Sequence, residues 1–116
     1  MIKTKIKPIL PSLREKKRYV VFEAILRRDI AGFNVSEAIK TAFSRFAGMH
    51  GAAKAGLIVL ENKWNPQLRR GIVKVGHKHV DAFKASLVLA GGDEVVFRSI
   101  GVSGILKKAE NKFMKN

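Results

Sequence analysis

The 116-residue chain has no cysteine. That removes disulfide frameworks, thiolate zinc sites and thiol nucleophiles together, and it fits a reducing compartment. Acidic residues are scarce, with 9 Asp and Glu against 23 Lys and Arg, a formal net charge of +14. The carboxylates Glu23, Glu37, Glu61, Asp81 and Glu94 are scattered, so none is paired for acid–base work. Long apolar runs are missing as well. No stretch approaches the roughly 20 residues of a membrane helix, and the first turns of the sequence lack the apolar centre of a secretory signal. No membrane association is expected, and the cytoplasm is the expected compartment. The three histidines are His50, His77 and His79. His77-x-His79 has no suitably spaced carboxylate to complete a tetrahedral set and reads as a solvated helix start. No catalytic residue, bound cofactor or metal ligand is expected in this chain.

What is abundant is positive charge, and it is unevenly placed. Lys3, Lys5, Lys7, Arg14, Lys16, Lys17 and Arg18 face only Glu15 in residues 1–18, a net +6. Lys107, Lys108, Lys112 and Lys115 face only Glu110 in residues 101–116, a net +3. A polyanion is the expected partner, with nucleic acid favoured over an anionic surface. Residues 1–16 carry two of the three prolines, Pro8 and Pro11, and read as a basic, extended arm ahead of a single α+β domain at 17–116.

Hydrophobic patterning gives the order βαββαβ. Tyr19–Leu26 is β-branched, aromatic and apolar on both alternating faces, as a central strand should be. Asn34 with Glu37 forms a capping box for a helix whose inward positions are Val35, Ala38, Ile39, Ala42, Phe43 and Phe46, with Gly48 and Gly51 as stops. Strands are expected at 55–61 and 70–75, joined by a turn over Asn62–Pro66, then a helix at 78–90 and a strand at 95–100. Phe22, Phe43, Phe46, Phe83 and Phe97 are assigned to the core. Gly101-Val102-Ser103-Gly104 is expected to open a terminal helix at about 104–114. The order predicts a ferredoxin-like antiparallel sheet with two helices on one face, the architecture shared by RNA recognition motifs. The opposite face then needs a cover, either the terminal helix, a protein partner or a second copy of this chain.

The Gly101–Gly104 segment has two readings, a phosphate-binding loop and an ordinary Ser103 helix cap. Ser103 lacks both the spacing and the partner base of a nucleophile turn. Arg70-Gly71-Ile72-Val73-Lys74-Val75 keeps the basic-Gly opening of an RNA recognition motif, but Ile72 and Lys74 replace the stacking aromatics, which favours contacts to phosphates and RNA shape. Trp64, at the hairpin tip, either stacks on a base, anchors a protein contact or folds back over its own hairpin.

Two stretches carry a family resemblance. Leu10-Pro11-Ser12-Leu13-Arg14-Glu15-Lys16-Lys17-Arg18-Tyr19 and Ser99-Ile100-Gly101-Val102-Ser103-Gly104-Ile105-Leu106-Lys107, at opposite ends of a βαββαβ chain, resemble the archaeal ribonuclease P protein component 2 family. The resemblance implies a noncatalytic subunit of the ribonucleoprotein that cleaves precursor tRNA to its mature 5′ end, with hydrolysis carried out by the RNA subunit and its magnesium. The implied partners are that catalytic RNA, the TIM-barrel ribonuclease P protein component 3, the other protein subunits and precursor tRNA. Carried onto this chain, it makes Arg14, Lys16, Lys17, Arg18 and Lys107 the expected RNA contacts, shaped by Gly101, Ser103 and Gly104. Lys108, Arg69 and Arg70 join them on charge and expected exposure. The alternatives are a general or ribosome-associated RNA-binding protein of the same fold, and a small enzyme of a phosphorylated compound suggested only by the glycine-rich segment.

Overall fold

A computed structural model describes residues 16–26, 34–91 and 95–115. The basic arm up to residue 15, with Arg14, lies outside the described residues. The elements run β1 (Lys17–Leu26), α1 (Val35–Ala55), β2 (Ile58–Val59), β3 (Arg70–Gly76), α2 (Val80–Ala90), β4 (Val95–Ser103) and α3 (Leu106–Phe113). The sheet order is β2-β3-β1-β4 with every pairing antiparallel, the ferredoxin-like α+β arrangement expected from the sequence.

β1 is the reason the sheet is covered twice. Its residues alternate between two cores, Val20, Phe22 and Ala24 facing α1 and α2, Tyr19 and Val21 facing α3. The larger core joins Ile39 and Phe43 of α1 to Phe83 and Leu87 of α2 over Val73, Val75, Val95 and Phe97. The smaller one closes Val21 and Ile72 under Ala109, with Leu106 and Phe113 at its margin. The terminal helix therefore supplies the second cover from within the chain. Ile72, where an RNA recognition motif would display an aromatic, is fully buried beneath it.

β4 serves both cores by changing phase. Val21 pairs with Gly101 but Phe22 pairs with Ser99, so Ile100 is the extra residue of a β-bulge. Val95 and Phe97 consequently face the α1/α2 core, Ile100 faces α3, and Val102 returns to the first core. The strand continues to Ser103, so Gly101 and Ser103 belong to it rather than to a loop opening the helix. Gly101 is required by packing, because a Cβ there would run into the Phe113 ring.

Other boundaries differ from the sequence reading for local reasons. α1 leaves helical geometry at Gly48 as expected, but a second helical segment passes Gly51 and ends at Gly56, which is left-handed at φ 61°. Gly48, at φ 80°, kinks the helix without ending it, and helix-favouring alanines resume packing down to the fully buried Ala55. That extension leaves β2 only two residues, and Glu61–Lys63 forms a 3-10 turn. Phe46 falls on the far side of the kinking helix and is 46% exposed, not core. The N-cap is as expected, with Asn34 Oδ1 accepting from Glu37 N at 3.0 Å.

Gly101→Ala is expected to displace Phe113 and lower unfolding free energy by about 1–3 kcal/mol, the range for an overpacked core. Urea denaturation checks it. The double variant Gly101→Ala with Phe113→Ala should recover part of the loss if ring overlap is the cause.

Candidate nucleic-acid interface

The register gathers the chain's basic segments at one end of the sheet. Lys17 lies opposite Gly76, and Tyr19 lies between Lys74 and Ser103, so the start of β1 adjoins the ends of β3 and β4. Lys16 is exposed, and its carbonyl accepts from the His77 backbone N at 2.7 Å and from His77 Nδ1 at 3.1 Å. The second bond places the imidazole proton on Nδ1. His77 thus ties the first residue of the described chain to the 3-10 turn at His77–His79.

Lys17 and Arg18 reach toward opposite edges of the sheet. The Lys17 ammonium rests against Gly56, 2.8 Å from where a Cβ would stand, beside the negative end of α1. The Arg18 guanidinium donates to the Lys17 carbonyl at 3.1 Å and lies beside Gly104, 3.5 Å from the equivalent position there. Ser103 Oγ donates to the Ile105 carbonyl at 3.0 Å and accepts from Ile105 N at 3.1 Å, a closed local turn. Ile105, not Ser103, occupies the N-cap of α3. Lys107 and Lys108 follow in the first turn, both exposed, with no acid beside them in that turn. Among the described residues no ion pair engages Lys16, Lys17, Arg18, Lys107 or Lys108, whereas Lys40, Lys63, Arg70 and Arg98 are all paired with glutamates.

Arg69 and Arg70 are at the other end. Arg70 faces Glu23, six residues along β1 from Lys17, a separation of roughly 20 Å. Its Nε donates to Glu23 Oε2 at 3.2 Å and its Nη1 to the Phe113 carbonyl at 2.9 Å. Glu23 Oε1 accepts from Arg98 Nε at 2.8 Å. Arg70 therefore ties β1 and β3 to the end of α3, and its donors are engaged in the fold. Arg69 is exposed at φ 57°, its carbonyl accepting from Ala24 N at 2.8 Å.

Two basic residues missed in the sequence stand beside the cluster. Lys54 occupies the last turn of α1, next to Gly56, and exposed Lys78 adjoins His77. Placing Lys54 required knowing that the helix continues past Gly51. Trp64 folds back, its ring 6.0 Å from that of Phe22 and 23° from parallel. Gly71, opposite Phe22, leaves the room: a Cβ there would stand 2.6 Å from Phe22 Cζ and 3.1 Å from Trp64 Cε3. Among the described residues no three His, Cys, Asp or Glu side chains converge on a possible metal site, and no helix is long and apolar enough to cross a membrane.

Residues 18–114 match the Rpp14/Pop5 family. The chain belongs to the Rpp14/Pop5 family. Within it, the chain is 34% identical to ribonuclease P protein component 2 of Thermococcus gammatolerans, over 97% of this chain and 95% of that one. It is 33% identical to the protein of the same name from Pyrococcus abyssi, covering 95% and 94%. The Methanococcus vannielii protein, also 33% identical, is covered over 94% of this chain and 83% of its own. The Rpp14/Pop5 match begins at Arg18 and includes Gly101, Gly104, Lys107 and Lys108, while Lys16 and Lys17 immediately precede it.

The two groups of basic residues should separate on substitution. Arg70→Ala is expected to cost about 1–2 kcal/mol of stability, a charged hydrogen bond discounted for partial exposure, with little change in RNA affinity measured on the folded fraction. Neutralising Lys16, Lys17 and Arg18 together should leave the unfolding midpoint nearly unchanged. It should reduce the magnitude of the salt slope of RNA binding by about 2, at roughly 0.7 per phosphate contact on single strands. Fluorescence anisotropy across a salt series reads both.

Proposed function

We propose that this chain is a protein subunit of ribonuclease P, the ribonucleoprotein that cleaves precursor tRNA to generate its mature 5′ end. The observation that carries the reading is family membership along nearly the whole chain, with relatives of similar length named ribonuclease P protein component 2. In this reading the protein binds and supports the catalytic RNA, and the RNA with its magnesium performs the hydrolysis. The TIM-barrel protein component 3 and the other protein subunits complete the particle, and precursor tRNA is its substrate.

The chemistry available at the sheet end suits that role. Lys16, Lys17, Arg18, Lys107 and Lys108 offer cations free of carboxylate partners among the described residues, carried at or just before the starts of β1 and α3. RNA helices brought together in a catalytic fold repel through their phosphates, and fixed cations between them replace part of the magnesium otherwise needed. The covered sheet face directs recognition toward phosphates and RNA shape and away from base stacking on β3.

The test is precursor tRNA cleavage at limiting magnesium by the catalytic RNA and the TIM-barrel partner, with and without this chain. Stimulation by this chain is expected, with no cleavage by the protein alone, and with the magnesium requirement rising again when Lys16, Lys17 and Arg18 are neutralised. Absence of stimulation by folded, RNA-binding protein would assign it to another RNA partner.

A further inference from the structure

A cavity of about 360 Å³ opens where α1 begins, lined by Phe22, Trp64, Val59 and Leu60 on its apolar side and by Asn34, Ser36 and Glu61 on its polar side. Its volume is at the small end of ligand sites. Ser36 is 9% exposed, and its Oγ is buried with no hydrogen-bond partner. An orphaned buried hydroxyl is costly, and a native one calls for an explanation. None of the contacts that build the sheet uses it.

The lining decides what chemistry fits. The mouth holds Glu61, and the first turn of α1 holds Glu37, whose backbone N is already taken by Asn34 Oδ1. An anion such as a phosphate would meet the Glu61 carboxylate and a helix start with one of its donors spent. A purely apolar side chain from a protein would leave the Ser36 hydroxyl unpaired and desolvate Glu61. A flat, neutral group with an acceptor for Ser36, an amino group for Glu61 and a face for the aromatic wall satisfies every group at once. Lys40, whose ammonium is 3.9 Å from the Glu61 carboxylate, stands near the mouth and can meet a phosphate outside it.

We propose that this cavity receives a single unpaired nucleobase carrying an exocyclic amino group, adenine, guanine or cytosine, from an RNA strand. The base lies against the Phe22–Trp64 wall, Ser36 Oγ donates to a ring acceptor, and Glu61 accepts from the amino group, whereas uracil has only its recessed ring N3–H to offer the carboxylate. The proposal rests on the RNA-binding reading above and adds to it a base-selective subsite, roughly 17 Å along β1 from the basic cluster.

Trp64 is the chain's only tryptophan, so its fluorescence reports the cavity directly. The experiment titrates the full chain with the RNA pentanucleotides A5 and U5, following Trp64 emission and, separately, anisotropy of end-labelled A5. A5 is expected to shift or quench the emission at lower concentration than U5. Ser36→Ala should weaken A5 binding by roughly three- to tenfold, the value of one hydrogen bond, while raising the thermal unfolding midpoint of the free protein, because the orphan is gone. Glu61→Ala should erase the preference for A5 over U5. Labelled A5 that binds without changing Trp64 emission would overturn the proposal. So would a Ser36→Ala variant that gains stability and binds A5 unchanged, or an emission change produced only by a protein subunit. If A5 binds as expected while precursor tRNA cleavage is not stimulated, the base site stands and the subunit reading falls.

Discussion

A central strand that is apolar on both faces obliges the chain to bring two covers, and the remaining architecture follows from how it does so. Val20 and Phe22 are satisfied by the α1/α2 layer, but Val21 and its neighbour Ile72 would face water without α3. Eight residues of helix are short for independent stability, so α3 persists by being clamped at both ends. Its last turn is held by Phe113 over Gly101 and by Arg70 on the Phe113 carbonyl. Its start follows directly from β4 through the Ser103 turn. The bulge at Ile100 is what allows β4 to feed both cores. Occupying that face covers the surface that an RNA recognition motif would expose, and the cations free of carboxylate partners among the described residues stand at the sheet end.

The division of the cations is the electrostatic counterpart of this arrangement. Glu23, only 15% exposed at its side chain, draws Arg70 and Arg98 into a three-part network across β3, β1 and β4. Glu61 and Glu110 take Lys40 and Lys63. Among the described residues these glutamates are committed away from the start of β1, where Lys16, Lys17 and Arg18 have no carboxylate partner. Self-repulsion among Lys16, Lys17, Arg18, Lys107 and Lys108 is tolerable because all of them reach solvent, where screening limits the cost over distances beyond about 8–10 Å. Association with a phosphate backbone then relieves repulsion as well as adding attraction.

The strand order was legible because it rests on long-period signals: β-branched runs, the Asn34–Glu37 cap and the apolar spacing of Phe83 and Leu87. Boundaries decided by tertiary contact were not. Gly48 does leave helical geometry, as its propensity suggests, but a second helical segment runs through Gly51 to Ala55, whose burial no local window contains. Gly101 and Gly104 look alike in sequence. One is excluded from carrying a side chain by a ring 12 residues later, while the other merely adjoins Arg18. The same applies to charge. Lys16, Lys17 and Arg18 stand out by local charge density, but Arg70 resembles them in sequence, and its engagement within the fold follows from lying opposite Glu23.

Glycines at sheet positions do more here than permit turns. Gly71 lies opposite Phe22, and the space it vacates admits Trp64, converting a hairpin-tip aromatic into part of the core margin. An exposed indole would have been a site of nonselective stacking at the end of the sheet away from the basic cluster. Folded back, the same ring instead forms one wall of the cavity at the start of α1, where Ser36 and Glu61 impose hydrogen-bonding requirements that stacking alone lacks. Gly101 acts in the same way on the other face, exchanging a side chain of its own for the Phe113 ring and so for a covered sheet. In both places a missing Cβ decides which aromatic surface the protein withholds from solvent, leaving exposed charge at one end of β1 and a small, shaped, polar-edged recess toward the other.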